Sequence, residues 1–213
     1  MLKIYALFGE EDMSPFKLES AAAAEIVKRE LGAVHDYRQF LRTDEQFDGL
    51  QPAPYFGSAE FWLKPERASE LQDTAAAIAE ASGALAVVLG RKPDLIEHGA
   101  EHNITGTHRG DSGYKCTFLF NRKPAMALAD FHHHWLHTHG PIAGKTQDAQ
   151  RYVQSHIDAP DRTFDGVTEL FWPDYPTAVA SMASEQMRVD QATDAQNFVD
   201  GGSLTLFLGA ETP

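Results

Sequence analysis

Between Met126 and Ile142 the chain reads MALADFHHHWLHTHGPI, and five of its ten histidines fall within eight positions there, from His132 to His139. Imidazole titrates near neutrality without help, so it can both take a proton and return it, and its neutral form ligates metals. Periodicity sorts the five. At 100° per residue Leu128, Phe131 and Trp135 define an apolar helix face with Leu136 at its margin, and His132 and His139 fall beside its centre. His133, His137 and Asp130 point the opposite way, and His134 lies on the flank. Gly140 offers the permissive position after a helix and Pro141 forbids continuation, so the pattern predicts a helix over about 125–139. His139 then sits at the helix end, where its ring can lean into space the backbone has vacated. His132 lies two turns below it, about 10.5 Å along the axis, too far to pair with it directly.

A histidine cluster also raises metal binding. His133 and His137 stand four apart on one face, and His98 with His102 could do likewise, spacings that can hold zinc or nickel. The first pair points to solvent, no carboxylates stand in a recognised ligand motif, and the single Cys116 lies elsewhere. The expectation is no metal ligands and no cofactor.

These side chains need a scaffold, and internal repetition supplies one. Lys3 to Phe8 (KIYALF) is echoed 112 positions later by Lys115 to Phe120 (KCTFLF), identical at three of six positions. Gly83 to Gly90 (GALAVVLG) is echoed by Gly202 to Gly209 (GSLTLFLG), identical at four of eight. Phe47-Asp48-Gly49 answers Phe164-Asp165-Gly166, and removing residues 51–58 as a Pro/Gly-rich loop insertion brings the next segments of the two copies into line. Each copy then reads as strand (2–8; 114–120), helix (about 15–31; about 125–139), strand (about 34–41; 150–157), strand (59–63; 167–172), helix (about 65–82; about 175–198) and a last strand framed by glycines (84–89; 203–208). The order β-α-β-β-α-β is the ferredoxin-like split unit, with both helices on one face of a four-stranded antiparallel sheet. The expected class is α+β: two ferredoxin-like βαββαβ repeats whose sheets meet as a dimeric-type α+β barrel. Residues 1–95 would be the first repeat, 96–112 a linker and 113–213 the second.

Composition narrows the partners. With 18 Lys plus Arg against 31 Asp plus Glu the formal charge is −13, which argues against nucleic acid and against anionic membrane surfaces. No segment approaches the length of a membrane span, and the apolar N-terminal stretch is too short for a signal sequence. One cysteine inside an apolar run points to a buried thiol in a reducing compartment, so a cytoplasmic location is expected.

The second half resembles the EthD family of dimeric α+β-barrel proteins, whose first helix carries Phe, three residues, Trp, three residues, then His-Gly-Pro. Here these are Phe131, Trp135, His139, Gly140 and Pro141. Arg151-Tyr152-Val153-Gln154 resembles the family's second strand, Phe164-Asp165-Gly166 with Glu169 its third, and Phe198-Val199-Asp200 its ending. The first half matches by architecture alone, since SPFKLESAAAAEIVKRELG has no Trp, His or Gly-Pro, so a tandem protein with one degenerate copy is implied.

The resemblance implies a cofactor-free barrel, an enzyme of the lyase type (dehydratase or decarboxylase) acting on an aromatic or polyketide-like small molecule, and a homodimer. It carries His139 over as general acid/base. Trp135, Phe131 and Tyr152 would hold the substrate, Tyr152, Tyr114 and Arg151 would donate to a developing enolate, and His132 would contact a distant part of a long substrate. Two other functions stay open: a non-catalytic barrel that binds a small hydrophobic ligand or serves in a stress response, and a metal- or haem-dependent oxygenase, haem being bound through a histidine in some related barrels.

Overall fold

The computed structural model describes residues 1–9, 16, 20–31, 34–49, 52–63, 74–106 and 113–212. The chain folds as two compact units, residues 1–42, 54–100 and 211–213 in the first and residues 43–53 and 101–210 in the second.

The first unit runs β1 (Leu2–Gly9), α1 (Ser20–Leu31), β2 (Val34–Arg42), β3 (Tyr55–Leu63), α2 (Thr74–Leu89) and the first part of β4 (Leu95–Thr105). The strands lie in the order β4-β1-β3-β2, all neighbours antiparallel. Alanine-rich α1 lays Ala23, Ala24 and Val27 on the sheet, where they join Ile4, Ala6, Phe8 and Phe61 in one apolar cluster. The start of the helix expected over 15–31 falls partly on residues outside those described.

Residues 84–89, expected as a strand, are instead the last turns of α2. An apolar run of six between glycines fits either element. The burial pattern shows why helix wins: Leu85, Val88 and Leu89 are buried while Val87 is 77% exposed, a period of three to four rather than two. Gly90, at φ 75°, closes the helix in the left-handed conformation. The closing strand is β4, within the stretch expected as a linker. Its sequence LIEHGAEHNIT hides the strand because its polar side chains are satisfied by partners: Arg151 donates to Asn103 at 2.9 Å and lies 3.6 Å from Glu101. The insertion expected over 51–58 is likewise shorter, since β3 already begins at Tyr55.

The second unit runs β5 (Tyr114–Phe120), α3 (Leu128–His134), a π-helical turn (Trp135–His139), α4 (Gly140–Ala143), β6 (Arg151–His156), β7 (Gly166–Trp172), α5 (Tyr175–Met182), a second π-helical turn (Gln186–Gln191), α6 (Ala192–Phe198) and β8 (Thr205–Glu211, to Ala210 in this unit). Its strands lie in the order β8-β5-β7-β6, the same order as the first four. Both units are therefore ferredoxin-like βαββαβ repeats of the α+β class. Residues 43–53 also belong here: the Gln46 amide donates to the Leu208 carbonyl at 2.8 Å and accepts from the Leu208 N–H at 3.0 Å, while Phe47 packs on Trp172.

Each sheet has an apolar face toward its helices and a mixed face away from them, on which charged side chains are buried among apolar ones. In the first repeat Lys3 Nζ lies 2.8 Å from Glu60 Oε2, and in the second Lys115 Nζ lies 3.0 Å from Glu169 Oε1, all four side chains at most 1% exposed. Each lysine opposes an aromatic residue (Trp62, Phe171) and reaches diagonally to the glutamate two positions away. Cys116 is a buried free thiol whose pKa burial pushes well up. No described helix is long and apolar enough to cross a membrane.

Candidate active site

Phe131, Trp135 and His139 recur every four residues and so share the buried face of the helical segment. Phe131 and Trp135 are almost fully buried, with ring centroids 6.1 and 5.0 Å from Phe120, and Phe131 also meets Phe198 at 5.7 Å. The Asp-Gly of the FDG motif serves this packing. A β-carbon on Gly166 would lie 2.5 Å from the Trp135 ring, so only glycine lets the indole lie on β7. Asp165 accepts from the Arg122 guanidinium at 2.7 Å and from Arg162 at 2.6 Å, pinning the loop before the strand.

The helix does not end at His139. It widens by one residue, the Gly140 N–H bonding the Trp135 carbonyl five residues back, and then resumes as α4 with Gly140 itself right-handed (φ −51°, ψ −50°). Proline is tolerated in the first turn of a helix, and the π turn makes Pro141 such a residue. His139 is thus held on both sides, which the Gly-Pro pair alone does not reveal.

His139 is 8% exposed. Its Nδ1 lies 2.9 Å from Asp194 Oδ2 on α6, and the same carboxylate meets His134 Nε2 at 3.1 Å. Burial raises the Asp194 carboxyl, but the hydrogen bonds from His139 and His134 outweigh it and hold its pKa below the usual range. An ionised Asp194 can only accept, so Nδ1 of His139 carries the proton and Nε2 keeps its lone pair. Burial lowers the His139 pKa, against the opposing pull of Asp194, so the ring is a free base at neutral pH.

His139 opens on a cavity of about 340 Å³ between the helices and the sheet of this unit. Phe118, Leu170 and Leu206 form its floor, Trp135 and Phe198 its inner wall, and Met182 and Met187 cover it. Thr168, Gln191 and Arg188 are the polar additions.

Of the residues expected in the site, His139 and Trp135 line this cavity, and the others do not. Tyr152 is buried in the core beside Leu170 and Trp172, accepting from Gln154 Nε2 at 2.7 Å, and burial pushes its pKa up to about 12. Its hydroxyl is buried and it is not part of the lining of this cavity, in contrast to its expected place beside the substrate. Phe131 is core packing behind Trp135. His132 bonds the Asp165 carbonyl at 3.0 Å and stacks on His156, whose ring in turn stacks on Trp135 and touches His102. Tyr114 sits against Tyr175, its hydroxyl 3.4 Å from Glu45. Arg151 alternates to the other sheet face. His133 and His137 are exposed with rings 4.6 Å apart, and no group of three or more metal-ligating side chains is found among the described residues.

Asp194 is the residue that sequence reasoning passed over. A signal existed: Gln191, Asp194, Ala195 and Phe198 fall at helical spacing on one stripe, with a carboxylate among apolar and amide neighbours.

Residues 123–202 match the EthD domain family. This part of the chain is an EthD domain. An EthD family protein from Bacillus halodurans matches at 24% identity and TM-score 0.39 over 46% of this chain and 96% of its own. Over the whole length the likeness is to fold alone. An anthrone oxidase-like protein has TM-score 0.57 at 11% identity, covering 99% of this chain and 90% of its own. A mutant chlorite dismutase from Candidatus Nitrospira defluvii has TM-score 0.56 at 13% identity, covering 100% and 91%. No curated protein matches the sequence.

Proposed function

We propose that the EthD domain is a cofactor-independent lyase site in which His139 acts as general acid/base on an aromatic or polyketide-like small molecule. One observation carries this reading: an imidazole whose Nδ1–H is held by an ionised carboxylate and whose ring lines an apolar cavity of small-molecule size. Nε2 removes a proton from a carbon next to a carbonyl or from a phenol. The electron pair stays on the substrate, and Asp194 stabilises the imidazolium that forms. The same proton is then returned, to a departing hydroxyl in a dehydration or to the carbon left behind when carbon dioxide departs. The stacked indole of Trp135 and the ring of Phe198 offer the flat surfaces an aromatic substrate packs on. A homodimer and a cytoplasmic location belong to the same proposal, the first resting on the family resemblance and the second on the single buried cysteine.

Turnover on a panel of aromatic β-hydroxy and carboxylated substrates by wild type and His139→Ala tests it. Loss of turnover with the fold intact is expected, and an unchanged rate removes the role of His139.

The same dyad favours one second reading. Were haem bound in this cavity, His139, held through Nδ1 by Asp194, would be the residue to hold its iron. Haem would supply oxidative chemistry. A visible absorption band in protein purified with haem supplied, lost in His139→Ala, would establish it.

A further inference from the structure

The acid/base reading uses one polar group of the cavity and leaves a second without a task. We propose that the site takes an aromatic acid: its carboxylate pairs with Arg188 at the cavity mouth, its rings lie on the apolar floor, and its opposite edge reaches His139. This rests on the acid/base reading above and adds the class and direction of the substrate.

Four polar residues line the cavity, and three have partners or a role. His139 is tied through Nδ1 to Asp194. Gln191 spends both amide hydrogens, on Thr146 Oγ1 at 2.9 Å and on Gln186 Oε1 at 2.8 Å. Thr168 supports the Tyr152 hydroxyl. Arg188 differs. It is exposed, and although Glu185 and Asp190 are close in the chain, its guanidinium has no hydrogen bond or ion pair among the described residues. A planar fork of five donors that meets no protein acceptor is suited to a carboxylate.

Placement sets the direction of the ligand. Arg188, Gln191, Ala192, Ala195 and Phe198 follow one another along the π-helical turn and α6 and line the cavity together. Asp194, which holds His139, lies six residues beyond Arg188 on the same segment. Cation and base therefore belong to different points of the cavity lining. A neutral ring system could enter either way round, whereas an anchored acid enters one way and presents its far edge to Nε2. The anchoring carboxylate is also the group furthest from the base, so it is not the one lost if the reaction is a decarboxylation. The net charge of −13 makes a lone placed cation more selective, since the rest of the surface repels anions.

Equilibrium binding of 2-naphthoate and of uncharged 2-naphthamide, followed by ligand fluorescence, tests this in wild type and Arg188→Gln. Wild type should bind the acid about tenfold more tightly than the amide, the worth of one partly solvated charge pair, and salt should weaken that preference. In Arg188→Gln the preference should vanish while amide affinity stays unchanged. Equal affinity for both ligands in wild type, or a preference that survives in Arg188→Gln, overturns the role of Arg188 and leaves the cavity reading standing. Failure of both ligands to bind wild type overturns the two readings together.

Discussion

His156 offers a measurable test of how the site is built. Its ring is 8% exposed and sits among three others, His102 at 4.4 Å, His132 at 4.5 Å and Trp135 at 4.7 Å between centroids. Burial, with added repulsion from His132, His102 and His137, pushes its pKa down to about 3. The groups facing this stack include Glu101 beside His102, and Asp158, Asp165 and Arg162 beside His132. In the unfolded chain the same ring titrates near ~6.5. The folded value is depressed, so the unfolded chain binds the extra proton. The stability this contributes is whole above about pH 6.5 and drains away as pH falls toward the folded value. At pH 5 the loss relative to pH 8 is RT ln(1 + 10^1.5), about 2 kcal/mol, and this holds for any folded value below about 4. For a chain of this size that is about 4–8 °C in Tm. Urea unfolding at pH 8 and pH 5 should therefore show a difference between the two pH values that is about 2 kcal/mol larger in wild type than in His156→Phe, which keeps a flat ring against Trp135. His102, His132 and His139, also lowered by burial, act in the same direction in both proteins and cancel. Asp165 and Asp194 are held below the usual carboxylate range, so their stabilisation is lost only at lower pH, outside the window. Equal pH dependence in the two proteins would refute the argument.

Other consequences can be checked separately. Asp194→Asn should release the Nδ1–H tautomer of His139 and cut turnover by about 10²- to 10⁴-fold with binding largely retained, read from kcat against KM. Because burial lowers the His139 pKa, kcat/KM should rise with pH along an acid limb centred below ~6.5, and a limb centred above that value would contradict the assignment. Gly166→Ala should cost about 1–3 kcal/mol in chemical denaturation, because the new methyl meets the Trp135 ring. Lys115→Met alone should cost about 3–5 kcal/mol by taking a buried cation from beside Glu169, while Lys115→Met with Glu169→Leu should recover most of it, measured as a double-mutant cycle.

The repeat and its element order were legible because seven of the eight strands coincide with segments of strand length and pattern, and because the helix carrying Phe131, Trp135 and His139 has an unambiguous apolar stripe. The features that stayed hidden have a common physical origin. β4 is a strand whose polar side chains are satisfied by Arg151 and other partners, so hydrophobic patterning cannot register it. The run 84–89 is apolar enough for either element, and only the burial of Leu85, Val88 and Leu89 around an exposed Val87 decides. Within the site, His139 was visible through its place on a face. Asp194 was not, since its role comes from a contact between two helices 55 residues apart in sequence. Tyr152 looked available because a strand alternation says which face a residue takes, not how deeply neighbouring side chains cover it.

The buried lysine-glutamate diagonal occurs at the same place in both repeats, although only one repeat has the histidine helix. Sliding either third strand by a single residue would swing its carboxylate to the oily side and strand the ammonium, so each diagonal acts as a lock on strand alignment. The two repeats share that lock while differing in their helix layers, which means an engineer could rebuild the first repeat's helix layer without disturbing how its strands find one another.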